Sequence, residues 1–284
     1  MISEEYPDRS LVKRVLVALV CAPVIVWIFL SRGGAPLYIF LAGLTALGQW
    51  ELYRMFSEKL HRPHRIIGYI AGLAILTDAF IARSACFSCI LVTALILSFG
   101  IEIVSGKNHR LWNVMFSLFT VVYPASFVSF FIKINQLPLT FLDRYKHVVL
   151  VFILLVIWTF DTVSYFAGRI FGTRRFFPHI SPKKTLEGFL GGIFSIMVLG
   201  IAVGFLIDHS LRIHAFCFSL LIGVTGQLGD LSESLIKREM HTKDSSGIIP
   251  GHGGILDRFD SLIFAGPAAY VYLFMLCLQS GVKF

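Results

Sequence analysis

The residues best suited to chemistry lie in one run, Gly229–Ser261, reading GDLSESLIKREMHTKDSSGIIPGHGGILDRFDS. It holds six of the 17 carboxylates, Asp230, Glu233, Glu239, Asp244, Asp257 and Asp260, mixed with Lys237, Arg238, Lys243, His252 and Arg258. Asp230, Glu233, Ser234 and Lys237 fall at i, i+3, i+4 and i+7, so they share one helix face, with Gln227 a turn earlier. That stripe enters an apolar stretch, where ionisable groups are costly and usually face a cavity. Asp257 and Asp260 share a face at the start of the last apolar stretch, and Asp260 could cap that helix. Gly251, Gly253 and Gly254 allow turns whose amides can point at phosphate oxygens. His252 reads as a hydrogen-bonding residue rather than a metal ligand. Mg²⁺ takes one or two carboxylates plus substrate phosphates, and Asp230 and Asp257 flank the loop so that both could reach one ion. The set points to metal-assisted phosphoryl or nucleotidyl transfer. No nucleophile elbow argues for a serine hydrolase, and no GxxxxGK[ST] phosphate loop is present.

A second polar element runs from Asp161 to Gly192. Asp161 sits deep in an apolar run, VIWTFDTVSYFAGRIFG, which suits a residue lining a cavity. Ser181-Pro-Lys183-Lys184-Thr185 offers two ammonium groups and two hydroxyls to an anion. Glu187-Gly-x-x-Gly-Gly192 permits close helix packing.

The elements that must carry these residues are written in the composition. Of 284 residues, 56% are apolar and 15% charged, and the mean hydropathy is +0.77. A soluble domain is about 45–50% apolar and about 25% charged. Nine stretches are long enough to span a bilayer, at roughly 11–30, 36–55, 66–82, 85–104, 111–132, 147–168, 189–207, 213–235 and 259–280. They are continuous and too long for barrel strands, so the expected fold is an all-α polytopic membrane protein. The first stretch reads as a retained span rather than a signal peptide. With a cytoplasmic N-terminus, eighteen of the 25 Lys and Arg fall on the cytoplasmic side, which sets the orientation. Residues 1–146 then form an N-terminal set of about five spans. Residues 147–284 form a catalytic region of about four, with cytoplasmic loops 169–188 and 236–258. No internal repeat supports an inverted-repeat transporter. The formal charge of +8 suits anionic lipid or substrate, and no basic face with interleaved aromatics suggests nucleic acid. The five cysteines lie in apolar stretches and form no disulfide framework.

The run from Ser234 to Asp260 resembles the signature of the phosphatidate cytidylyltransferases, or CDP-diacylglycerol synthases. Its fixed positions are matched by Ser234, Lys237, Arg238, Lys243, Asp244, His252, Gly253, Gly254, Asp257, Arg258 and Asp260. Gly226–Glu233, Asp161, Tyr165, Gly168-Arg169 and Ser181–Gly188 are similar to the family too, although Leu186 stands where members often carry Trp. The resemblance implies that CTP and phosphatidate become CDP-diacylglycerol and pyrophosphate at the cytoplasmic face of the membrane, with Mg²⁺ and room for a second cation. Asp230 and Asp257 would then hold the catalytic cation, with Asp260 and Glu233 as weaker candidates. Lys237, Arg238, Lys243 and Arg258 would hold the triphosphate or the lipid phosphate. Ser181, Lys183, Lys184 and Thr185 would bind one phosphate group, with Ser234, Asp244 and His252 as further substrate contacts and Asp161 organising the cavity. The partners are CTP, phosphatidate and the bilayer, and the resemblance leaves a homodimer open. The competing readings are a CTP-dependent polyprenol or phytol kinase and, further off, an anionic-solute transporter.

Overall fold

The computed structural model describes residues 9–31, 34–57, 62–82, 84–105, 110–139, 148–207, 211–248 and 253–280, with side chains from residue 19 onward. The elements are α1 (Arg9–Leu30), α2 (Ala35–Ser57), α3 (Arg65–Ile81), α4 (Phe87–Ser105), α5 (Arg110–Thr120), a wide helical segment Val121–Ser126, α6 (Phe127–Gln136), α7 (Val148–Phe171), β1 (Arg175–Phe177), β2 (Ser181–Thr185), α8 (Leu186–Ile207), α9 (Arg212–Glu239) and α10 (Leu256–Gln279). The nine apolar stretches therefore each fall on a helix, α5 and α6 sharing one rod bent at Tyr123-Pro124. Among the described residues six segments are long and apolar enough to cross a membrane: α4, the α5–α6 rod, α7, α8, α9 and α10.

The helix α2 is less apolar for a structural reason. It buries Gln49 and Glu51 with Thr45 and Tyr53, all nearly inaccessible. Gln49 Nε2 donates to the carbonyls of Gly68 and Thr120, each at 3.0 Å. A satisfied amide such as that of Gln49 can sit inside a bundle that plain hydrocarbon would otherwise fill, whereas the Thr45 hydroxyl has no partner among the described residues.

The helices α7, α8, α9 and α10 pack on one another, and α10 also packs along α6. The fit of α8 comes from a stripe four residues apart: Gly188, Gly192, Ile196, Gly200 and Gly204 are its buried positions. A Cβ on Gly188 would lie 2.7 Å from the Ser164 carbonyl oxygen, and one on Gly200 2.8 Å from that of Ala215. Small residues let helix backbones approach where lipid supplies no hydrophobic drive. On α9, Gly229 lies directly against the Asp260 backbone of α10, which brings the polar positions of the two helices together.

The polar stretch expected as loop 169–188 is largely ordered structure. The helix α7 continues to Phe171, β1 and β2 form an antiparallel hairpin pairing Arg175 with Thr185 and Phe177 with Ser181, and α8 starts at Leu186. Thr185 Oγ1 accepts the Gly188 amide at 3.2 Å, as an N-cap does. Glu187 accepts the Thr173 hydroxyl at 2.6 Å and the amides of Thr173 and Arg174 at 3.1–3.2 Å. The strands have no apolar alternation, so the hairpin left no periodic signal in the sequence.

Candidate active site

The i, i+3, i+4, i+7 stripe of α9 forms one charged face. Lys237 Nζ lies 2.6 Å from Glu233 Oε2 one turn back and 2.6 Å from Asp257 Oδ1 on α10. Ser234 Oγ stands 3.5 Å from Asp230 Oδ1. Asp230 Oδ2 in turn pairs with Lys184 Nζ of the hairpin at 2.5 Å. The hairpin is tied down a second time, where Arg238 Nε donates to the Ile180 carbonyl at 3.2 Å. Two lysines far apart in sequence thus each neutralise a carboxylate of α9.

Asp257 is engaged through both oxygens. Besides Lys237 on Oδ1, its Oδ2 accepts the Gly254 amide at 2.8 Å, the Ser245 amide at 3.1 Å and the Ser245 hydroxyl at 3.1 Å. Gly253 adopts φ +85°, a left-handed conformation natural to glycine. The Gly254 amide of the glycine turn is therefore directed at the protein's own Asp257 carboxylate. The next two amides, of Ile255 and Leu256, donate to Glu51 of α2 at 2.7 and 2.8 Å. This external cap lets α10 begin at Leu256, before Asp260, so Asp260 lies in its second turn and caps nothing. Asp260 is buried there, its side chain turned to its own neighbour's amide at Ser261.

These residues wall a cavity of about 790 Å³. Of the residues singled out in the sequence, Asp161, Ser181, Lys183, Lys184, Thr185, Asp230, Glu233, Lys237, Asp257, Arg258 and Asp260 line it. Ser234 and Arg238 stand behind the wall as described. Lys243 and Asp244 are exposed on the segment after α9 and are not in the lining. His252 lies outside the described residues. The sequence reading gave no site role to Trp158, Ser164, Phe176 and Phe189, which also line the cavity. They belong to apolar or mixed runs in which nothing separates a cavity face from a packed one.

The charges in the wall balance. Arg169, Lys183, Lys184, Lys237 and Arg258 face Asp161, Asp230, Glu233, Asp257 and Asp260. The anionic side is crowded: Asp161, Asp230 and Asp260 repel one another, and Glu233 is repelled by Asp260 and Asp257. Glu233 is 1% exposed, and its Oε1 has no hydrogen-bond partner among the described residues. Buried oxygens of this kind are ordinarily satisfied, so Glu233 Oε1 has room for a hard cation or a donor from outside the chain. No three carboxylate, His or Cys groups among the described residues are gathered closely enough to hold a metal ion by themselves, and substrate oxygens would have to complete the ion's shell.

A polar cavity bearing paired ammonium and carboxylate groups, enclosed by apolar helices, suits a reaction between a water-soluble polyanion and a lipid. Comparison with known proteins agrees. A model of the cytidylyltransferase family matches residues 12–276. The chain belongs to that family. It is 34% identical over 274 residues to a phosphatidate cytidylyltransferase of Bacillus subtilis, covering 94% of this chain and 98% of that one. Similar enzymes of Staphylococcus haemolyticus and Staphylococcus aureus share 32% over 252 residues (87% and 93% covered) and 31% over 265 (92% and 98%). The family match begins in α1 and ends in α10, so it takes in the N-terminal helices as well as the cavity.

Proposed function

We propose that the cavity joins CTP to phosphatidate and that the protein thereby makes CDP-diacylglycerol. A phosphate oxygen of phosphatidate attacks the α-phosphorus of CTP, a new P–O bond forms, the bond to the β-phosphate breaks, and pyrophosphate leaves. That oxygen is already anionic, so no strong general base is needed. The observation that carries the reading is the charge-balanced cavity of about 790 Å³ among apolar helices, in a chain whose relatives bear that enzyme's name. Neither the lipid kinase nor the transporter is favoured by those relatives.

The physical difficulty is the meeting of two anions. Lys183 and Arg258 are cations at the cavity wall where phosphate oxygens would arrive, and Lys184 would join them on leaving Asp230. Lys237 is held between Glu233 and Asp257 until a stronger anion competes for it. Because five carboxylates offset five cations, the wall alone carries no formal surplus for two polyanionic substrates. Mg²⁺, when bound, would supply that surplus and stabilise charge building on the departing pyrophosphate. Asp230 would hold it together with substrate phosphate oxygens, with Glu233 offering the oxygen that has no partner among the described residues. Asp257 would join them only through the oxygen Lys237 now occupies. Positioning accounts for much of the remaining acceleration.

The end of the bundle that carries the cavity is read as cytoplasmic, because eighteen of the 25 basic residues fall on that side when the N-terminus is inside. On this reading α1, α2 and α3 complete nine spans. The exposed Tyr165, Phe166, Ile170 and Phe171 of α7 would then meet lipid or a second copy in a homodimer. Purified protein given labelled CTP, phosphatidate and Mg²⁺ should release pyrophosphate and form CDP-lipid, and chelation should stop it. Formation of a phosphorylated lipid with release of CDP would refute the reading.

A further inference from the structure

The helix α2 lies some 200 residues from the signature segment in sequence, yet its Glu51 accepts four hydrogen bonds, as many as Asp257 in the cavity wall. It is 0% exposed. Oε1 accepts the Ser246 hydroxyl at 2.5 Å and the Ile255 amide at 2.7 Å, and Oε2 accepts the Leu256 amide at 2.8 Å and the Ser245 hydroxyl at 3.0 Å. The donors come from the segment that joins α9 to α10 and from Leu256, the first residue of α10. The contacts continue toward the cavity. Ser245 Oγ lies between two carboxylates, sharing its one proton between Glu51 Oε2 and Asp257 Oδ2 at 3.0 and 3.1 Å. Asp257 holds Lys237, and Lys237 holds Glu233. The packing around these contacts is close: a Cβ on Gly254 would strike Ser245 Oγ and Glu51 Oε1.

We propose that Glu51 is a positioning residue of the transfer site, fixing from α2 the start of α10 and the Ser245 contact so that Asp257, Arg258 and Lys237 keep their places at the cavity. A carboxylate is required because all four partners donate. An amide would turn its NH₂ against one pair of them and leave buried donors unmatched. Glu51 is not among the residues that line the cavity, so on this proposal it acts through the residues it holds. The inference rests on the cavity being the site of cytidylyl transfer.

The test compares wild type with Glu51→Gln and, separately, Ser246→Ala, which removes one of the four donors and leaves the carboxylate in place. In detergent, each variant is followed by thermal unfolding, by steady-state kinetics with CTP and phosphatidate, and by hydrogen exchange of peptides covering residues 243–258. Glu51→Gln should raise KM for CTP about tenfold or more, the scale of a small misplacement of binding groups. Exchange at 253–258 should quicken while α8 stays protected. Ser246→Ala should shift both in the same direction by less. Unchanged KM and unchanged exchange in Glu51→Gln overturn the proposal. So does a variant that only melts earlier, with its folded fraction keeping the wild-type KM. A wild-type preparation that makes no CDP-lipid at all overturns the reading of function instead.

Discussion

Asp230 and Asp257 look equivalent in the sequence, as two aspartates flanking one loop, and their surroundings separate them. Asp230 is about a third exposed and has Lys184 as its close ionic partner. Asp257 is 11% exposed and accepts from an ammonium, two amides and a hydroxyl. Asp230→Asn should therefore abolish CDP-lipid formation with the unfolding midpoint close to wild type. Asp257→Asn should abolish it and also cost about 3 kcal/mol, the order found when one partner of a buried charge pair is removed. Equal midpoints for the two variants, measured side by side in detergent, would contradict this difference. The α9 stripe was legible because helical spacing alone puts Asp230, Glu233 and Lys237 on one face. Glu51 was not legible. Its partners lie 194 to 205 residues away, and within α2 it reads as one acid in an apolar run.

At the scale of the element, apolar run length located the helices well, because a chain in lipid must satisfy its backbone within each segment. Boundaries set by tertiary partners were missed. The helix α10 starts early because Glu51 caps it from α2, and the β1–β2 hairpin stands where only a basic loop was expected. Glycine is the element-scale signal whose meaning depends on place. Gly200 packs on the α9 backbone, and an added Cβ would lie 2.8 Å from the Ala215 carbonyl and 3.0 Å from Phe216 Cα. A Cβ added to Gly100 of α4 would meet no other part of the protein within 4 Å. Gly200→Ala should lower stability by about 1–3 kcal/mol through overpacking between α8 and α9. Gly100→Ala should leave the midpoint unchanged or slightly raised, as the better helix former. Thermal unfolding of the two variants in one detergent decides it, and an equal loss in both would remove the packing role given to the α8 stripe.

For the whole molecule the question is which way it faces the bilayer. The C-terminal part of α2 meets the segment after α9 through Glu51 and through Met55, whose sulfur lies 3.6 Å from Thr242 Oγ1. The helix α3 then carries the chain away from that end to Asp78, whose carboxylate accepts the Cys86 amide at 3.1 Å. Cys86 therefore lies at the end opposite the cavity, and it is exposed. Lys183, Arg258 and Lys243 are exposed at the cavity end, and the positive-inside rule would turn an end rich in Lys and Arg toward the cytoplasm. CTP is an anion that does not cross lipid unaided, so a cavity open to it must face the compartment that holds it. A protein retaining Cys86 as its one cysteine should react with an impermeant maleimide from the outside of sealed right-side-out vesicles. Lys243→Cys in a cysteine-free background should react only after permeabilisation. The reverse pattern would turn the molecule over and place the cavity on the wrong side for its nucleotide. Labelling of both from one side would break the antiparallel order of α2 and α3 on which the Glu51 cap depends.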